Sequence, residues 1–154
     1  MPQSAFTILG NGIVNEFQSE CIVSEGFDPL TELKFPRFLK FNGLWDTGAS
    51  HSAISTKVVE DLNLKPIGKS TVVHAAGQHL VDVFMINIVL PNSIAFPMIR
   101  ASNLVLTGMD ILIGMDIINQ GDFAITNLNG ISKMSFAIPS SRNIDFMNVN
   151  DLGF

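Results

Sequence analysis

Leu44-Trp45-Asp46-Thr47-Gly48-Ala49-Ser50 is the stretch whose context decides the fold of this chain. An apolar run delivers an aspartate into a turn of small residues. A strand end holds a carboxylate rigidly, Gly48 lets backbone approach it, and backbone N–H groups and the Thr47 hydroxyl stand near as donors. Taken alone, Asp-Thr-Gly is ordinary turn chemistry and reads as a surface β-turn. The residues on either side carry the decision.

Immediately upstream, residues 38–41 read as a strand that breaks at Asn42-Gly43 and resumes at Leu44-Trp45. Further back, residues 7–9 and 13–23 read as two strands around the Asn11-Gly12 turn signal, a hairpin. Downstream, residues 55–64 fit a short helix that Ser55 caps, with Val58, Val59 and Leu62 on one apolar face and Pro66 and Gly68 as its stop. Two extended runs, 70–75 and 78–90, flank Ala76-Gly77 and predict a second hairpin. Residues 94–105 continue as strand, 110–114 form a short apolar strand, and 115–119 one or two helical turns ended by Gly121. Residues 123–125 and 131–138 pair around Asn129-Gly130, and the polar tail from Pro139 is expected to be loose. Many short strands with Gly and Asn turns predict an all-β, closed barrel-like domain with one or two short helices.

Composition narrows the function classes. The chain has 154 residues, a single-domain length. Hydrophobic residues make up 47% and charged residues 15%, which excludes a disordered, highly charged chain. The mean hydropathy of +0.35 asks for apolar surface against a partner or for a membrane. The longest apolar region, 104–118, is broken by Asp110 and Asp116, short of the ~20 residues a spanning helix needs. A net charge of −5 with 9 Lys and Arg and no basic run argues against nucleic acid as a partner. The N-terminal residues lack a positive start and an apolar stretch, which predicts no signal peptide. With one cysteine, Cys21, a reducing cytoplasmic location is expected, and Cys21 itself reads as a small buried hydrophobe.

A second motif lies far downstream: Asp110-Ile111-Leu112-Ile113-Gly114-Met115-Asp116, an apolar triplet, a glycine and a short helix opened by Asp116. Together with the Asp46 turn it resembles the retropepsin-like aspartic proteases, the retroviral-type branch of the acid proteases, in their bacterial single-domain form. In that family the Asp-Thr-Gly-Ala loop is crossed by the downstream strand, and its glycine, here Gly114, lets the two backbones pass; Ile113, Gly114 and Asp116 are then structural residues of that crossing. The hairpin after the helix falls where the family carries its flap, which places Ala75, Ala76, Gly77 and Gln78 at the tip over substrate. The resemblance spans about residues 38–138. It implies one domain over residues 1–139, with dimer strands within residues 1–35, and a polar tail over 140–154.

Hydrolysis of this type needs two carboxylates sharing one proton, because like charges at hydrogen-bond distance do not both ionise easily. This chain has one Asp-Thr-Gly. The resemblance therefore implies a homodimer in which Asp46 of each copy forms the dyad. Thr47 hydrogen-bonds across to its mate's loop, Gly48 offers backbone to the dyad and substrate, and Ala49 and Ser50 are packing and turn residues. It implies a peptide or protein substrate and no metal or organic cofactor. Asp116 as a second carboxylate within one chain is the weaker reading, since an Asp at a helix start has a capping role. A different class remains open at this point: a retropepsin-shaped binding or assembly module with weak catalysis.

Departures from the family are the Ala75-Ala76-Gly77-Gln78 tip in place of a very Gly-rich one and bulky Trp45 before Asp46, packed in the core or closing a pocket floor; as in many retroviral-type members there is no flap tyrosine, the chain having no tyrosine at all. Other chemistries fit poorly. His51, His74 and His79 lack the partners of a zinc set. Ser50-His51 is no catalytic pair, and no GxSxG is present. Gly68-Lys69-Ser70 is no phosphate loop, because position 63 is Asn63 where a glycine is needed. The apolar residues of the tail, which ends in Leu152-Gly153-Phe154, suggest a segment to be cut or docked.

Overall fold

The computed structural model describes residues 3–147; the tail end Leu152-Gly153-Phe154 lies outside the described residues. Among those described, ten strands and two short α-helices follow one another: β1 (Ser4–Leu9), β2 (Gln18–Glu25), β3 (Leu39–Trp45), β4 (Ala53–Ile54), α1 (Thr56–Asp61), β5 (Gly68–His74), β6 (Gly77–Leu90), β7 (Ile94–Asn103), β8 (Ile111–Ile113), α2 (Met115–Ile118), β9 (Asp122–Thr126) and β10 (Lys133–Ile138). The pairing β2-β3-β8-β4-β7-β6 returns to β2, so six strands close into a barrel with no free edge between them. β5 extends from β6 as a hairpin arm. β1, β10 and β9 form a separate three-stranded sheet. The expected all-β barrel with two short helices is therefore the observed architecture. Among the described residues no helix is long and apolar enough to cross a membrane.

Alternation drives the closure. In β2, Cys21 and Val23 point inward, while Glu20 and Ile22 turn toward the outside. They meet Phe41, Ile86, Ile88, Ile111 and Ile113 in one core that also takes Val58 of α1 and Ile117 of α2. Each of the Val, Ile and Phe side chains among them contributes about 1.5–3 kcal/mol on burial. The small sheet closes one end of this core through Met134 and Phe136, both fully buried.

Four local expectations change. The Asn11-Gly12 signal does not make a hairpin. β1 pairs instead with β10, Phe6 facing Phe136, and the turn docks on Ser132, whose N–H donates to the Gly12 carbonyl at 2.9 Å while its carbonyl accepts from Gly10 N at 2.7 Å. β3 runs unbroken through Asn42-Gly43. Gly43 sits in the barrel wall because a Cβ there would fall 2.6 Å from the Cys21 sulfur, so this glycine is a packing choice, not a breaker. α1 is shorter than expected, ending where Asn63 adopts φ +51°. Its cap is as predicted, with the Ser55 hydroxyl accepting from Val58 N at 3.4 Å. The start of the tail is fastened. The Asp122 carboxylate accepts from the Ser140 hydroxyl at 2.5 Å, Ser141 N at 2.9 Å, Arg142 N at 3.2 Å and the Gln3 amide at 3.4 Å.

Candidate active site

β3 carries Asp46 to the rim of the barrel, and its last residue, Trp45, is the anchor. The indole is buried, donates from Nε1 to the Ser19 hydroxyl at 3.0 Å, and packs against Phe6, Phe123 and Phe136 at ring separations of 5.3–5.8 Å. Of the two sequence expectations for Trp45, core packing is the observed one. Burial with a satisfied N–H makes the indole a rigid floor under the following residue.

The Asp46 loop is held by its own turn and by the crossing strand. Asp46 N donates to the Ile113 carbonyl at 3.0 Å. Its Oδ1 accepts from Gly48 N at 2.8 Å, and its carbonyl accepts from Ala49 N at 3.3 Å. A Cβ on Gly48 would lie 3.1 Å from Asp46 Oδ1, so only glycine leaves the carboxylate uncrowded. Thr47 is exposed, and its hydroxyl makes no hydrogen bond among the described residues.

β8 passes between the strands on either side of this loop. It runs parallel to β3, with Trp45 opposite Ile113, and antiparallel to β4, with Ala53 opposite Leu112. At the crossing, a Cβ on Gly114 would fall 2.6 Å from the His51 carbonyl carbon, 2.8 Å from its oxygen and 3.0 Å from the Ala49 oxygen. Close approach of backbone thus requires the glycine. Met115 N donates to the Ala49 carbonyl at 2.8 Å.

Ser52 ties the crossing together, and its importance was not legible in the sequence. Its buried hydroxyl accepts from Gly114 N at 3.1 Å and donates to Asp116 Oδ1 at 2.8 Å; that same oxygen accepts from Ile117 N at 3.1 Å. Asp116 is therefore committed to holding the loop and the start of α2. In sequence, Ser52 is one of several small polar residues after Asp46, and nothing distinguishes it until β8 arrives opposite.

A groove of about 600 Å³ opens beside the loop. Residues 48–53 form one wall and residues 70–73 of β5 the other, with Arg100, Ser102 and Leu112 among the floor residues. The β5–β6 hairpin rises above it, turning at Ala75-Ala76 with Gly77 at φ +120°. The tip residues Ala75, Ala76, Gly77 and Gln78 are exposed and stand beyond the groove lining; the rising strand, not the tip, forms the wall. Among the described residues no three His, Cys, Asp or Glu side chains converge as a metal site would require.

Comparison with known proteins agrees with this geometry. Residues 39–120, a little over half of the chain and spanning β3 to α2, match the family described as "gag-polyprotein putative aspartyl protease". The chain is similar to the crystal structure of a retropepsin-like aspartic protease from Rickettsia conorii, with 17% identity over 88% of this chain and 95% of that one, and a TM-score of 0.54. It also matches the simian foamy virus (mac) protease, with 17% identity over 67% of this chain and 92% of that one at a TM-score of 0.43. The retroviral protease-like domain of Ddi1 from Leishmania major matches with 13% identity over 73% of this chain and 82% of that one, at a TM-score of 0.45. No match is found among curated proteins. With the family match lying over the Asp46 loop and its crossing strand, the chain belongs to the retropepsin-like aspartic protease family.

Proposed function

We propose that this chain is an aspartic endopeptidase that works as a homodimer, with Asp46 of each copy forming the catalytic dyad. The observation that carries the reading is the half-site itself. The loop is braced on all sides, yet Asp46 keeps one carboxylate oxygen without a partner among the described residues. Asp116, by contrast, is bonded to Ser52 and Ile117. The exposed Thr47 hydroxyl, unbonded among the described residues, is free to reach the matching loop of a second copy. In the dimer the two carboxylates hold one proton. The ionised one removes a proton from water as its oxygen attacks the scissile carbonyl carbon; the protonated one donates to the carbonyl oxygen. Collapse of the tetrahedral adduct breaks the C–N bond, with a proton passing to the departing nitrogen. The β5–β6 hairpin serves as the flap over an extended peptide, and the domain acts as one unit over residues 1–139.

Asp46→Asn tests this. The variant is expected to keep its fold and dimer mass while losing hydrolysis of a peptide library, and a statine-type inhibitor is expected to block the parent. Cleavage at the parental rate by Asp46→Asn overturns the mechanism. Cutting should also be faster at mildly acidic than at alkaline pH, because the dyad must retain one proton.

A further inference from the structure

The lining of the groove beside the Asp46 loop carries a single permanent charge, and it is positive, in a chain whose net charge is −5. Among the described residues lining it there is no aspartate or glutamate, and its one permanent charge is Arg100. Arg100 is exposed, and its guanidinium makes no ion pair and no hydrogen bond among the described residues; Lys34 and Lys133 are likewise without an ion pair there but do not line the groove, while Lys40, Lys57 and Lys69 are each paired with a carboxylate. A guanidinium is a planar fork of donors with no acceptor, matched to a carboxylate. Ser70 and Thr71 of β5 line the same groove.

The fold aims Arg100 there by a specific device. Ile94 and Phe96 of β7 point into the core, and strict alternation would send Met98 and Arg100 inward as well. Instead β7 carries one extra residue, so that Pro97 and Met98 lie between the Ile88–Phe96 and Ile86–Ile99 pairs. Met98 adopts φ +58°. Its N–H donates to Asn87 Oδ1 at 2.9 Å, and Asn87 is fastened in turn to Phe27. Past this bulge the phase is reversed: Ala101 is fully buried, while Arg100 and Ser102 face the groove.

We propose that Arg100 is a specificity-determining residue and that the groove selects substrates with an aspartate or glutamate at one position near the scissile bond. This rests on the protease reading and names its substrate class. The test is digestion of peptides that differ only by Glu, Gln or Lys at one position at a time. The wild-type chain is expected to show a kcat/KM about tenfold higher for Glu at one position, the scale of a charge-assisted hydrogen bond discounted for an exposed partner. Arg100→Gln is expected to erase that ratio, and Arg100→Glu to reverse it toward Lys. Equal rates on Glu and Gln at every position, or a ratio that survives Arg100→Gln, overturns the proposal. Binding of the same peptides, fluorescein-labelled, to the Asp46→Asn chain separates the two readings. A Glu preference in binding with no cleavage by the parent leaves the subsite standing and removes the protease; equal binding of Glu and Gln peptides removes the subsite.

Discussion

Gly114 is the residue with the least freedom in the site. The atoms a methyl group would meet are backbone atoms of His51 and Ala49, which cannot rotate away. Gly114→Ala is expected to destabilise the chain by about 1–3 kcal/mol, the range for overpacking, seen as a lower urea midpoint together with reduced cleavage as the Asp46 loop shifts. Cys21 makes the opposite case, a reactive type made inert. Burial pushes its thiol up to about 12 from 9.0, against a smaller opposing effect of the Ser19 hydroxyl. Because the folded value is raised, the contribution to stability is whole below pH 9.0 and is lost as pH rises toward the folded value. The native chain is expected to resist a thiol reagent at mildly alkaline pH and to take up one equivalent on adding denaturant. Both residues stand out in the sequence, since a glycine after an apolar triplet and a cysteine within a strand pattern have few other uses. Ser52 does not, because its two bonds exist only once residues 114 and 116 are brought back to it.

Two elements owe their geometry to a single polar side chain. The β7 bulge depends on Asn87, whose amide serves Met98 N, Phe27 N and the Phe27 carbonyl at once. Asn87→Ala leaves these groups without their partner, at about 1–3 kcal/mol for each one that stays buried. A drop in thermal midpoint together with a smaller Glu-over-Gln ratio is the expected pair of readouts. The second is the clasp on β9. The Asp122 carboxyl is held below the usual carboxylate range chiefly by the Ser140 hydroxyl, then by Ser141 N. A lowered folded value means the clasp is fully present at neutral pH and opens only as pH falls through that lower value. Asp122→Asn is expected to make residues 140–147 quicker to be cut by an added protease at neutral pH, read by mass spectrometry. Element types along the chain followed from alternation and turn residues. The partner of β1 did not, because Asn11-Gly12 marks a turn without saying which strand receives the chain after it.

At the scale of the molecule, the barrel places one aspartate at a rim, and the proposed chemistry needs two. Sedimentation of the 16.8 kDa chain is expected to give a particle of two copies at working concentration, with activity falling as dilution splits it; a monomer that cuts at full specific activity overturns the dimer. By itself the sequence determined that this is an all-β domain built around an Asp-Thr-Gly turn and a distant apolar-Gly strand, because strand alternation, turn chemistry and close-approach glycines are local properties. Only the tertiary structure decided that β2 meets β6 to close the barrel, that Ser52 bridges the loop to Asp116, and that Arg100 faces the groove. Each of these depends on which strands lie side by side and in what register, and one inserted residue in β7 is enough to exchange its inward and outward faces.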